Sequence, residues 1–202
     1  KIVFAENLNG APTIGTESAD GVILCWDVSS VRDNSILAWA TQTETQATKG
    51  VYTVYIGSND DIYGNVYSSY LFSHIGYSTN CTATDTITGI SLLDTRNVTN
   101  MSYMFNQCGY RKMTTLDLGI NFDTSKVTNM SNMFNGTGYK ALITFSFGGK
   151  FDTTNVQNMS GMFQGLAQES TGFTTLNLGA TGVTFNTTAV TDMSNMFNGC
   201  GQ

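Results

Sequence analysis

The sequence predicts an α/β repeat fold: a leucine-rich-repeat-like solenoid of short parallel strands and short helices, preceded by a β-rich N-terminal cap. Three observations predict it. One segment, Val-x-Asn/Asp-Met-Ser-x-Met-Phe, occurs four times, at Val98–Phe105, Val127–Phe134, Val156–Phe163 and Val190–Phe197. Between these copies lie stretches in which apolar and small polar residues alternate. The chain from Lys1 to Gly64 carries no copy. Self-similarity at a fixed period is the mark of stacked repeat architectures.

The first methionine of each copy is Met101, Met130, Met159 and Met193, so the first two periods are equal and the third is longer. The residues added to the last period fall before Leu176 and after Leu178, both in connections, where a stacked coil tolerates insertion. Each period divides in two. Met113–Leu118, Leu142–Phe147 and Phe173–Leu178 alternate with period two, which predicts a short strand with one buried face. The Val, Met, Met and Phe of the repeated segment stand at i, i+3, i+6 and i+7, which predicts one face of a short helix or helical turn. Ser102, Ser131, Ser160 and Ser194 sit where such a turn would be capped. Leu93, Phe122, Phe151 and Phe185 mark the link between the halves. One coil cannot bury its own apolar face, so stacking is required, and the methionines are expected in the shared core.

Asn100, Asn129 and Asn158, with Asp192, hold one repeat position and are expected to form a structural ladder along the coils. The asparagines belong to N-x-Ser/Thr sequons, as do Asn80, Asn97, Asn135 and Asn186; Asn80, Asn135 and Asn186, in connections, are the better glycan acceptors. On the strands, the positions facing away from the core are Thr115 and Asp117, Thr144 and Ser146, and Thr175 and Asn177. These six are the candidate ligand-binding residues. Polar strand faces also serve simply to solvate a sheet.

Ahead of the repeats, 22–26, 36–40 and 51–56 read as strands, giving an N-terminal cap over residues 1–64. The solenoid then spans 65–202. It begins with a degenerate first coil, 65–93, in which Phe72 aligns with Phe105, and continues as repeats over 94–202. Of the four cysteines, Cys108 and Cys200 hold equivalent positions three coils apart. At the spacing of stacked strands that is about 14 Å, beyond the ~7 Å limit for a disulfide. Cys25 with Cys81 is the candidate bridge, with Cys81–Cys108 as the alternative. At the C-terminal end three explanations stand open: the natural chain continues, the last half-coil is its own lid, or the open coil docks on another subunit. A chain starting at Lys1 without methionine suggests a leader removed or trimmed.

Composition narrows the function. Charged residues make up 12% of the chain and the net charge is −6; with no Lys/Arg run, nucleic acid and anionic membrane surfaces are poor partners. No apolar run is long enough to predict a membrane span. Catalytic constellations are missing. His74 is the lone histidine, Asp60 and Asp61 are adjacent and cannot face one another, and Glu6, Glu17, Glu44 and Glu169 are scattered. Asn59–Gly64 has the start of a calcium loop, but Tyr70 stands where the twelfth-position Glu belongs. No G-x-S-x-G, P-loop or dinucleotide fingerprint occurs. No enzyme, metal or cofactor is expected.

The segment Asp123-Thr-Ser-x-Val-Thr-Asn-Met-Ser-x-Met-Phe134, repeated over 94–202, resembles the BspA-like leucine-rich-repeat surface proteins of bacteria. The resemblance implies a secreted or wall-anchored, non-catalytic module that contacts protein or glycan on another cell or matrix. It supplies no catalytic residues. A second expectation rests on the uncapped last coil: a structural subunit of an extracellular filament, joined end to end to copies of itself.

Overall fold

The computed structural model describes residues 1–15, 25–28, 35–42, 52–78 and 86–202. The N-terminal region builds one five-stranded sheet in the order β2-β3-β4-β1-β6. Its strands are β1 (Ile2–Ala5), β2 (Cys25–Asp27), β3 (Ile36–Gln42), β4 (Tyr52–Ser58) and β6 (Ile87–Thr88). β3 pairs antiparallel with β2 and β4, whereas β1 runs parallel to both β4 and β6. Cys25, Leu37 and Trp39 form a small core on this sheet, and the Trp39 ring stacks on Tyr55 at 5.4 Å. Gly57 makes room for it: a Cβ there would lie 2.8 Å from the indole.

β6 stops after two residues. Gly89 adopts φ 73° and turns the chain into a single 3₁₀ turn, Ile90–Leu92. A Cβ at Gly89 would meet the Phe4 carbonyl oxygen at 2.6 Å, so this turn packs directly against β1. From there β7 (Leu93–Asp94) pairs in parallel with β5 (Ile62–Tyr63). Phe4 meets Phe72 edge-on at 5.9 Å and joins the main core.

From residue 65 onward the periods stack in parallel. Isolated parallel bridges join Tyr67 to Asn100, Asn100 to Asn129, Asn129 to Asn158 and Asn158 to Asp192. The repeated segments differ from expectation in one respect: they are runs of tight turns, and the single helical element among the described residues is the 3₁₀ turn. The hydrogen bonds give the reason. In the second segment the N–H groups of Met104, Asn106 and Cys108 donate three residues back, to Met101, Tyr103 and Phe105. The intervening N–H groups of Met101, Tyr103, Phe105 and Gln107 donate across to the carbonyls of Asn129, Ser131, Met133 and Asn135. An α-helix would keep every donor within itself, four residues back. Here half of them tie one segment to the next, and left-handed residues at regular positions permit the alternation.

The inward side chains nonetheless keep the expected spacing. Val98, Met101, Met104 and Phe105 are fully buried, as are their counterparts in the segments starting at Val127 and Val156. Their phenylalanines form one column, Phe72–Phe105–Phe134–Phe163–Phe197, with ring centroids 5.1 to 5.6 Å apart. Met193 and Phe197 of the last segment are exposed. Opposite the turns, β8 (Thr115–Asp117) and β9 (Thr144–Ser146) pair in parallel. The third alternating stretch, 173–178, which follows the lengthened connection, forms no strand.

A row of threonines links the coils on another side. The buried Thr95 hydroxyl donates to the Asp123 carbonyl at 2.9 Å and accepts the Asp123 N–H at 2.8 Å. Thr124 does the same to Asp152, and Thr153 to Asn186. Each hydroxyl thus satisfies both backbone groups of one residue in the next coil, which is what a buried polar row requires.

Candidate functional site

A cleft of about 890 Å³ opens where the N-terminal sheet meets the first coils. Five pieces of chain build it. The end of β1 brings Glu6, and the β4–β5 link brings Asn59, Asp60 and Asp61. Tyr63 lies on β5, placed by its pairing with Asp94. The coils add Asp94, Arg96, Asn121, Asp123 and Lys150. The β4–β5 link is held by Ser58, whose buried hydroxyl donates to the Ser35 carbonyl and accepts the Asp60 N–H at 3.0 Å.

Carboxylates outnumber cations in this wall, and most of them are engaged. Burial disfavours the charge on Asp94, but hydrogen bonds from the Arg96 side chain and backbone outweigh it and hold the carboxyl below the usual range. The same ion pair holds the Arg96 guanidinium protonated more firmly. Asp123 accepts the N–H and hydroxyl of Ser125. Asp61 accepts the Tyr63 hydroxyl at 3.0 Å, which raises the phenol pKa. Tyr63 is 56% exposed and lines the cleft, with its backbone paired to Asp94 and its hydroxyl on Asp61. Among the described residues no group of three His, Cys, Asp or Glu is arranged to hold a metal ion.

The six strand-face residues lie elsewhere. Thr115 pairs with Thr144 and Asp117 with Ser146, the two pairs flanking the Leu116–Phe145 pair; all but half-buried Ser146 are exposed. Asp117, Ser146 and Asn177 border a shallower groove of about 440 Å³. The same three side chains accept the N–H groups of Gly119, Gly148 and Gly179, two residues on. They close turns, a local task. Thr175 and Asn177 are exposed in the unpaired third stretch. Asn100, Asn129, Asn158 and Asp192 each accept the N–H of the serine two residues on, at 2.9 Å. The serines are therefore capped, not capping. That bond holds the Asp192 carboxyl below its ordinary value. The coil-to-coil links of this row run mainly through backbone, and a Ser160 side-chain hydrogen bond also reaches Asp192 in the next coil. Cys25 is a buried free thiol whose pKa burial raises; Cys81, its candidate partner, lies outside the described residues.

A family model described as "Mycoplasma protein of unknown function, DUF285" matches residues 77–168 and again 110–202, together more than half of the chain. The chain belongs to this family. No curated protein and no solved structure matches it. In this DUF285 member the cleft straddles the edge of the matched span. Asp94, Arg96, Asn121, Asp123 and Lys150 fall inside it, and Glu6, Asn59, Asp60, Asp61 and Tyr63 precede it. No helix among the described residues is long and apolar enough to cross a membrane.

Residue-by-residue reading overlooked a second feature of the DUF285 coils. Tyr70 stacks on Tyr103 at 4.7 Å, and Tyr77, Tyr110 and Tyr139 form a row at 4.9 and 4.7 Å. The signal was present: Tyr70 and Tyr103, Tyr77 and Tyr110, and Tyr110 and Tyr139 each stand one coil apart in the sequence. Tyr67, Tyr70 and Tyr77 are exposed, so the first coil presents a surface of tyrosines, whereas Tyr103, Tyr110 and Tyr139 in the coils after it are half-buried. Beyond it, Glu169 and Lys140 form a surface ion pair, with Lys140 holding the Glu169 carboxyl below its usual range.

Proposed function

We propose that this DUF285 chain is a non-catalytic extracellular binding module of the BspA-like leucine-rich-repeat class. Its stacked coils act as a solenoid scaffold that presents a recognition surface to protein or glycan on another cell or matrix. The observation that carries the reading is the cleft of about 890 Å³ between sheet and coils. It is the size of a ligand site and combines an exposed, anchored aromatic residue with polar groups from five chain segments. Asp61, Tyr63, Asp94, Arg96 and Asp123 are bound to one another or to neighbouring backbone, an arrangement suited to presenting a shaped surface; among the described residues no nucleophile with an adjacent base stands there.

The end-to-end filament is the less supported alternative. A second copy's Phe197 would have to extend the phenylalanine column beyond Phe72, and Phe4 already packs on that ring.

The test is titration of labelled chain onto arrays of glycans and extracellular-matrix proteins. Saturable binding is expected from the wild type and its loss from an Asp60→Ala/Tyr63→Ala variant that keeps the native circular dichroism spectrum. Folded wild type that binds neither array, or a variant that binds as well, would refute the proposal.

A further inference from the structure

The cleft's lining also speaks to what it takes. We infer that it binds a neutral glycan, with a pyranose ring lying on Tyr63; this rests on the binding-module reading above. Three properties of the wall lead there.

The first is the ring. Tyr63 is exposed over half its surface, yet it is anchored by backbone pairing to Asp94 and by its hydroxyl on Asp61. A ring held in one orientation loses little conformational freedom when a ligand covers it. It offers a flat apolar face with a polar tip, the complement of a sugar, whose ring has a C–H face and a hydroxyl rim.

The second is the mixed sign of the polar groups. An anionic ligand would meet the carboxylates of Asp60 and Asp61. A cationic one would meet Lys150 and Arg96, and it would find Asp61, Asp94 and Asp123 already engaged by Tyr63, Arg96 and Ser125, leaving Glu6 and Asp60 as the carboxylates it could pair with. Hydroxyl groups both donate and accept, so they pair with carboxylate, amide and ammonium alike. Asn59, Asp60, Asn121 and Lys150 supply that mixture around the ring.

The third is size and shape. About 890 Å³ in an open cleft exceeds what one ring needs and suits a short oligosaccharide entering from the side. Protein anchors, by contrast, favour deep apolar pockets for a buried hot-spot side chain, and the polar groups of this wall provide none.

Isothermal titration of the full chain with cellohexaose, maltohexaose and chitohexaose, with a neutral-glycan array alongside, tests the inference; hexalysine and a heparin hexasaccharide are the charged comparators. A neutral oligosaccharide is expected to bind, with an affinity that changes less than about twofold between low and high salt. Tyr63→Ala should weaken it about tenfold or more, and Tyr63→Phe, which keeps the ring, by less than about threefold. Tyr103→Ala, outside the cleft, should leave it unchanged. If hexalysine or an arrayed protein binds in a Tyr63-dependent manner while every neutral glycan fails, the cleft is a protein site: the glycan inference falls and the binding-module reading stands. If folded chain binds no glycan and no protein, both fall together.

Discussion

The first two turn segments and the three that follow run the same backbone with different side chains. At one position Tyr70 and Tyr103 hold φ 62° and 57°; the counterparts are Asn132, Gly161 and Asn195, at 53°, 60° and 55°. Four residues on, His74 and Gln107 at 60° and 53° correspond to Gly136, Gly165 and Gly199 at 63°, 62° and 72°. Glycine and asparagine enter this left-handed region readily, whereas for other residues it costs roughly 1–2 kcal/mol. The dihedral hardly changes with the residue, so it is imposed by the hydrogen bonds between segments and not by local preference. The early coils accept strain at these positions and gain a stacked tyrosine pair, exposed at Tyr70. The later coils carry asparagine or glycine at both positions and no stacked tyrosine there, although Ala167 takes φ 50° at a third left-handed position where Gly76, Gly109, Gly138 and Gly201 stand in the other coils. Strain of this kind tends to gather where a protein does its work.

The sharpest way to break that account is at a glycine where strain and crowding coincide. Gly148 has φ 74°, and a Cβ there would overlap the Gly119 carbonyl oxygen of the neighbouring coil. Gly136 has a similar φ, but its Cβ would meet only the flexible Gln107 side chain, at 3.2 Å. Gly148→Ala is expected to cost more than about 4 kcal/mol and Gly136→Ala about 1 kcal/mol, measured by urea unfolding. Equal costs would mean that dihedral strain alone governs these positions and that coil-to-coil approach does not.

Burial supplies the next contrast. Met130 is fully enclosed between two neighbouring segments, whereas Met193, at the same repeat position, is 43% exposed. Met130→Ala should cost about 3 kcal/mol and Met193→Ala under about 1 kcal/mol. Similar losses at both sites would show that the last segment is covered in solution. Close behind comes Thr124→Val, which leaves the Asp152 N–H and carbonyl buried without their shared partner. About 2 kcal/mol is expected, with hydrogen exchange accelerating at Asp152. Unchanged exchange there would show that the threonine row does not tie the coils together.

These contrasts also mark how far the sequence could be read. The inward spacing of Val98, Met101, Met104 and Phe105 was legible because burial follows side-chain direction, which a helix and this run of turns share. What distinguishes them is the acceptor of the Met101 or Tyr103 N–H, which lies in the next coil at Asn129 or Ser131, and no local pattern specifies that. The threonine row was written in the repeat as Thr95, Thr124 and Thr153, but a threonine beside a connection carries no sign of being buried. The cleft was the least legible feature. Glu6, Asp61, Asp94 and Lys150 share a wall only because β1, β5 and the coils converge, and in the sequence its carboxylates looked scattered. The strand-face residues were correctly placed at the surface in Thr115, Asp117 and Thr144. For Asp117, alternation revealed the exposure but not that its carboxylate is engaged by the turn at Gly119.

The finest test separates strain from its compensation within the second segment. Gln107 and Tyr103 are both left-handed, but only Tyr103 has a stacking partner, Tyr70, at 4.7 Å. Asparagine tolerates this backbone without glycine's loss of chain entropy. Gln107→Asn should therefore stabilise the protein by about 0.5 kcal/mol. Tyr103→Asn relieves the same strain but removes a stacked pair of comparable size, so its net effect should lie within about 0.5 kcal/mol of zero. The double-mutant cycle of Tyr103→Asn with Tyr70→Ala isolates the pair and should return a coupling of about 1 kcal/mol. If Tyr103→Asn stabilised as much as Gln107→Asn and the coupling vanished, the tyrosine row would not offset its own strain. The exposed rings would then owe their place to something they contact, and not to one another.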